Sequence, residues 1–348
     1  MKSWKRAAAA ALAALIAALS AGCSADKSWA AKDGSLTVPI GAYIYNLYYA
    51  YSQAQSKVSD TSKAVLDQKV ENKDAAAWIR EKAVTYTKSF FLVDRKMKEL
   101  KLSLTADEKQ QAEQAGNSVW NTYSSTFEKY GIAQSSFQLA YADNAYKESK
   151  IFEAVYGKGG AKEVSDADLK SFYTKTYTSF SYLRYPLYTT GTDGSTKALS
   201  DADKKKAKAV LDGYASQMKA GKMTAQQAAD ELKKVLKSDA DQLSTAAVNL
   251  SDSTSAPQAV SKALQSMKTG EIKTAETTED ASYYLLIKND IQKEAGEKLK
   301  DDSSRRQILS DYKWTEFTAD LEKQADALTD VTLNNDAINS YNPSMFAA

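Results

Sequence analysis

The stretch VSDADLKSFYTKTYTSFSYLRYPLY, Val164–Tyr188, carries the chain from one kind of secondary structure into another. Its first part reads as helix. Ser165 stands as an N-cap, and Asp168 falls in the first turn, where a carboxylate suits the positive end of the helix dipole. From Phe180 the helical period is lost: FSYLRYPLY is aromatic and extended. Pro186 has no N–H to give to a ladder and suits an edge strand better than a central one. The turn TTGTDGST follows, then a Lys-rich amphipathic helix near Asp201–Lys219 and a further helix in KAGKMTAQQAADELKKVL. A polar Ser/Thr/Asn/Asp region, Ser238–Ser255, precedes PQAVSKALQSMKTGEI, and ASYYLLIKND reads as a buried strand. A small mixed unit, about Thr178–Ile291, therefore interrupts something else.

What flanks it is helical. In VPIGAYIYNLYYAYSQAQ, Val38–Gln55, Pro39 suits a first helical position. Ile40, Tyr43, Ile44, Leu47, Tyr48 and Tyr51 fall on one arc, a face for burial. Tyr45 and Tyr49 lie off that arc. Further on, Ile79, Ala83, Tyr86, Phe90, Val93, Met97 and Leu100 recur at steps of four and three, a seam for helix packing. Thr105 with Glu108 forms a capping box, and Gly131 and Gly157 read as helix stops. Another helix is expected near Ser135–Tyr156, and helical character returns from about Glu294 to Leu328. The closing VTLNNDAINSYNPSMF is expected to be irregular.

Composition agrees with long helices and removes much chemistry. The 348 residues include 21 Tyr but only 14 Gly and 4 Pro, too few turn formers for an all-β sandwich or a loop-rich α/β sheet. Lys and Arg number 46 against 44 Asp and Glu, with none of the basic clustering that a nucleic-acid partner demands. Histidine is absent and Cys23 is the only cysteine, so there is no imidazole base, no His/Cys zinc set and no internal disulfide.

The first residues, MKSWKRAAAAALAALIAALSAGC, have a basic start and an apolar run from Ala7 to Leu19. That run is shorter than the roughly 20 apolar residues that span a bilayer. It reads as a secretory signal over 1–22. Ser20, Ala21 and Gly22 before Cys23 resemble a bacterial lipobox, which implies acylation of Cys23. The chain would then be lipid-anchored on the extracytoplasmic face of a bacterial cell membrane, through a polar tether at 23–35.

The order of these elements resembles the extracytoplasmic foldases of the PrsA and SurA type over roughly Leu36–Ala327. The likeness rests on the capped LTADE helix, KYGIAQSSFQLAY and VSDADLKSFYTKTY. Within the insertion it rests on MKAGKMTAQQAADEL, ALQSMKTGEI and SYYLLIKND, which are similar to parvulin prolyl isomerase segments. The resemblance implies an α+β, mainly α fold. A helical chaperone domain, 36–177 completed by 292–348, would be interrupted by a parvulin-like α/β domain at 178–291. It also implies the function: a membrane-anchored chaperone or foldase that binds unfolded exported polypeptides, without cofactor, metal or nucleic acid.

Active parvulins carry Arg-His-Ile-Leu-like and Gly-Tyr-His-Ile-Ile-like strands. The matching positions here are Arg184-Tyr185-Pro186-Leu187 and Ser282-Tyr283-Tyr284-Leu285-Leu286, so Tyr185 and Tyr284 stand for both histidines. The glycine-rich loop is missing too, since Lys222–Thr269 contains no glycine. Isomerisation must cross a barrier of ~18–20 kcal/mol, and a phenol lacks the tautomers of imidazole. Three readings stand side by side: a holding chaperone, a prolyl isomerase with altered groups, and a solute-binding lipoprotein, which would need two α/β lobes. In the first, Tyr45 and Tyr49 line a client-facing or interdomain surface; alternatively they pack on the carboxy-terminal helix.

Overall fold

A computed structural model describes residues 28–347. Cys23 and the leader lie outside the described residues. The chain divides into two units, one running up to Glu163 and resuming at Lys313, the other Val164–Tyr312. The inserted unit is thus wider at both ends than 178–291. Polar contacts account for the difference. Tyr173 OH donates to Glu294 Oε1 at 2.8 Å, tying helix Asp166–Thr176 to helix Ile291–Lys298. The guanidinium of Arg305, only 3% exposed, meets Asp166 Oδ1 at 2.7 Å and the Val164 carbonyl at 3.0 Å.

In the first unit, strand Trp29–Asp33 lies between Leu36–Pro39 and Thr332–Leu333, antiparallel to both. Part of the expected tether is therefore the middle of a sheet. Ala30 and Ala31 are fully buried there, their small side chains fitting against the helices. Pro39 serves as the N-cap residue, with extended backbone, and helix Ile40–Lys57 begins after it. Tyr43, Ile44 and Leu47 are sealed in the core, each contributing roughly 1.5–3 kcal/mol by its burial. Helix Ala75–Glu99 is capped by Asp74, whose carboxylate accepts from Ala76 and Ala77 N–H. Helix Ala106–Lys129 has the expected Thr105–Glu108 capping box. It ends at Gly131, whose φ of +80° is a left-handed value that glycine adopts without a Cβ clash.

The next helix is not continuous. Gln134–Phe137 passes through a π-helical turn, Gln138–Asp143, into Asn144–Tyr156. The C-terminal end is ordered as well, contrary to expectation. Asn335–Asn339 is helical, Pro343–Phe346 forms a 3₁₀ turn, and the buried Phe346 ring lies 4.8 Å from Tyr130 and 5.5 Å from Tyr48. One phenylalanine in a polar run gives no periodic signal, yet it anchors the segment.

The second unit is built on a four-stranded antiparallel sheet in the order Ser244–Val248, Thr178–Pro186, Ser282–Lys288, Ile272–Thr277. Its first strand falls within the polar region Ser238–Ser255, where no strand was expected. Its second is internal rather than an edge, but Pro186 is the last residue, beyond the end of the Ser244–Val248 pairing. Successive side chains alternate between faces. Leu183 and Leu285 pack with helices Asp201–Lys219 and Ala225–Leu236 on one face. Phe180, Tyr284 and Leu286 pack with helix Gln258–Ser266 on the other. Neither unit has the parallel, helix-alternating sheet of a solute-binding lobe; every sheet among the described residues is antiparallel. No helix among them is long and apolar enough to cross a membrane.

Candidate functional site

In the sheet of the second unit, Tyr283 pairs with Tyr185 and Tyr284 with Arg184. Directly opposed residues share a face, so Tyr185 and Tyr284 point to opposite sides of the sheet. Tyr185 packs with the two-helix layer, and Tyr284, 8% exposed, with the Gln258–Ser266 layer. They form no common pocket. The residue facing Tyr284 is Arg184.

Around Tyr284 the donors and acceptors are matched. Its hydroxyl donates to Asp280 Oδ2 at 2.5 Å, and the same oxygen lies 3.2 Å from Arg184 Nε. Thr277 Oγ1 donates to Asp280 Oδ1. Arg184 also donates to Ser282 Oγ at 2.8 Å and to the Tyr188 hydroxyl at 3.3 Å. Burial, and then the Asp280 carboxylate, push the Tyr284 phenol above its ordinary value. Burial alone would raise Asp280, but hydrogen bonds from Thr277 and Tyr284, with the Arg184 charge, hold it below the usual carboxylate range. The result is a neutral phenol and a fixed cation that share one carboxylate oxygen. Such a brace offers no group that exchanges a proton near neutral pH.

Beside this brace is an open cleft of about 640 Å³, whose lining includes Tyr182, Arg184, Tyr185, Pro186 and Tyr188 together with Val235, Leu236 and Gln242.

The tyrosines of helix Ile40–Lys57 belong to the first unit. Tyr45 is half-buried in an aromatic cluster, edge-on to Phe137 at 5.2 Å, Phe127 at 5.9 Å and Tyr141 at 6.4 Å. Burial first, then the neighbouring Tyr141, Tyr49 and Tyr48 phenols, raise its pKa. Tyr49 is 46% exposed, its ring 5.6 Å from Tyr86. Two further tyrosines continue the surface. Tyr141 stacks on Phe137 at 5.0 Å and is 38% exposed; Tyr123 lies 6.1 Å from Phe127 and is 51% exposed. Sequence reasoning passed over both. Tyr123 stands four residues before Phe127 on one helix, a spacing that could have revealed it. Tyr141 sits in the π-turn, whose extra residue breaks the count.

No protein-family model matches the chain, and no curated protein does. Solved structures similar to it include three PrsA proteins. The foldase protein PrsA from Lactococcus lactis is 15% identical, with a TM-score of 0.37 over 90% of this chain and 97% of that one. PrsA from Streptococcus pneumoniae is 14% identical, with a TM-score of 0.38 over 79% and 95%. PrsA from Bacillus subtilis is 14% identical, with a TM-score of 0.28 over 70% and 87%.

Proposed function

We propose that this chain is a lipid-anchored extracytoplasmic chaperone that holds unfolded exported polypeptides and does not isomerise them. The carrying observation is the aromatic surface of the first unit, where Tyr49, Tyr123 and Tyr141 stay 38–51% exposed while each rests on a buried or half-buried ring. A tyrosine so placed presents a broad apolar ring and a wet hydroxyl, with few rotors to immobilise. Several such contacts, each weak, hold a heterogeneous chain reversibly.

The order of sequence motifs that resembles PrsA- and SurA-type foldases supports the same reading, as does the signal-like run 1–22 before Cys23. Against isomerisation stand the absence of histidine and the separation of Tyr185 from Tyr284 by the sheet. The test is light scattering from a chemically denatured protein diluted into buffer, with and without the purified chain lacking its leader. Suppression of aggregation that weakens several-fold on combined Tyr49→Ser, Tyr123→Ser and Tyr141→Ser substitution supports the proposal; no suppression, or suppression untouched by the triple variant, refutes it.

A further inference from the structure

Strand Thr178–Pro186 outruns its neighbour. Ser244–Val248 covers Thr178 to Tyr182 and stops, while Ser282–Lys288 continues along the other edge as far as Pro186. The ladder's parity then decides where the remaining peptide groups point. Leu187 N–H donates to the Ala281 carbonyl at 2.7 Å, and Asn289 N–H to the Ser179 carbonyl at 2.9 Å. Odd-numbered residues of the strand therefore bond toward Ser282–Lys288, and even-numbered ones toward the opposite edge. Arg184 N–H and C=O, and the Pro186 C=O, face that edge with no strand across from them.

The chain's own residues are turned aside there. Leu243 N–H donates to Asp241 Oδ1 at 3.1 Å, and the Gln242 amide to Ser238 Oγ at 3.1 Å and the Ala240 carbonyl at 2.8 Å. These local bonds fold the run before Ser244 into a turn instead of a longer strand. What is left is the cleft of about 640 Å³, with the uncovered backbone along one wall and Val235, 44% exposed, on the other. Pro186, with no N–H, ends the usable edge. The charged residues lining the cleft, Arg184 and Asp241, are of opposite sign, and Arg184 is already paired with Asp280. The cleft therefore selects no ion. Its complement is an extended peptide backbone, the one ligand that supplies an acceptor and donors at strand spacing.

We infer that this edge binds an extended segment of an unfolded polypeptide by strand addition, as a site separate from the aromatic surface. The choice of occupant rests on the chaperone reading; the open edge does not. A short fluorescein-labelled peptide of alternating threonine and valine is titrated against the leaderless chain. Alongside it runs its ester analogue, in which oxygen replaces each backbone N–H and the side chains are unchanged. Strand addition predicts at least about tenfold weaker binding of the analogue, slowed hydrogen exchange at Arg184 on adding the parent peptide, and weaker binding after Val235→Asp. Equal affinity for the two peptides, or no change in Arg184 exchange, overturns the inference. So does an Arg184 amide already protected without peptide, which would make a second copy or the chain's own leading residues the occupant. The Tyr49/Tyr123/Tyr141 triple variant separates the two claims, because it should keep the Arg184 protection. Aggregation suppression without that protection would sink the cleft and leave the chaperone reading standing.

Discussion

Tyr284 faces Arg184 across the central strand pair, and both are tied to the Asp280 carboxylate, at 2.5 Å from the phenol and 3.2 Å from the guanidinium. Tyr284 is one of the two positions at which the strand motifs lack a histidine. Here a closed set of hydrogen bonds holds it.

Tyr284→Phe should accordingly act on stability. It removes the phenol's hydrogen bond to a partly buried carboxylate, a loss of about 1–2 kcal/mol, read as a lower urea midpoint for the second unit. Tyr185→Phe removes a hydroxyl that makes no hydrogen bond among the described residues, and it should leave the midpoint in place. In a proline-limited refolding assay neither variant should change the rate, since the parent chain should not raise it. An acceleration by the parent that both substitutions abolish would restore the isomerase.

Tyr45 and Tyr49 should separate cleanly. Tyr45→Ser opens a hole among Phe127, Phe137 and Tyr141 and should cost about 2–4 kcal/mol. Tyr49→Ser, at a position 46% exposed, should cost under about 1 kcal/mol and still weaken aggregation suppression. A large stability loss at Tyr49 would place it in the core instead of on a client surface.

A pH effect should arise at Glu148. Burial raises its carboxyl from 4.5 to about 7; the Asn144 amide, donating at 2.7 Å, opposes the rise, and the Glu322 charge adds to it. Between those values the folded chain keeps a proton that the unfolded chain has released. Stability from this group is therefore full below about pH 4.5 and is lost as pH climbs to about 7, a swing of about 3 kcal/mol. The described tryptophans, Trp29, Trp78, Trp120 and Trp314, all lie in the first unit, so their fluorescence follows it alone. Urea melts at pH 5.5 and 8 (round values placed about the shift) should show the fall, and Glu148→Gln should flatten it. An equal slope in parent and variant would contradict the assignment.

The buried cation of the second unit offers a further check. Asp166→Asn leaves Arg305, 3% exposed, with the Val164 carbonyl but no carboxylate; because Asp166 is itself 55% exposed, the loss in that unit should be about 1–2 kcal/mol. A loss below about 0.5 kcal/mol would mean that this pair does not secure the unit's ends.

Local signals were legible in the sequence where one segment carries its own reason. The Thr105–Glu108 box, the Ser165 cap and the apolar run of Ser282–Lys288 need no distant partner to be read. Pairing was not legible. STAAV at Ser244–Val248 is too small and polar to announce a strand, and it becomes one only beside Thr178–Tyr182. Thr332–Leu333 likewise becomes a strand only beside Trp29–Asp33, some three hundred residues earlier. Register was not legible either: neighbouring strand positions lie on opposite sides of a sheet, so only the pairing decides that Tyr284 faces Arg184 and not Tyr185.

The most direct measurement is fluorescence anisotropy of a labelled, permanently unfolded polypeptide titrated with the leaderless chain. Saturable, reversible binding, weakened several-fold by combined Tyr49→Ser, Tyr123→Ser and Tyr141→Ser substitution at unchanged melting temperature, is the predicted result. A flat titration, or binding that the three substitutions leave intact, would contradict the claim that exposed aromatic rings hold the client.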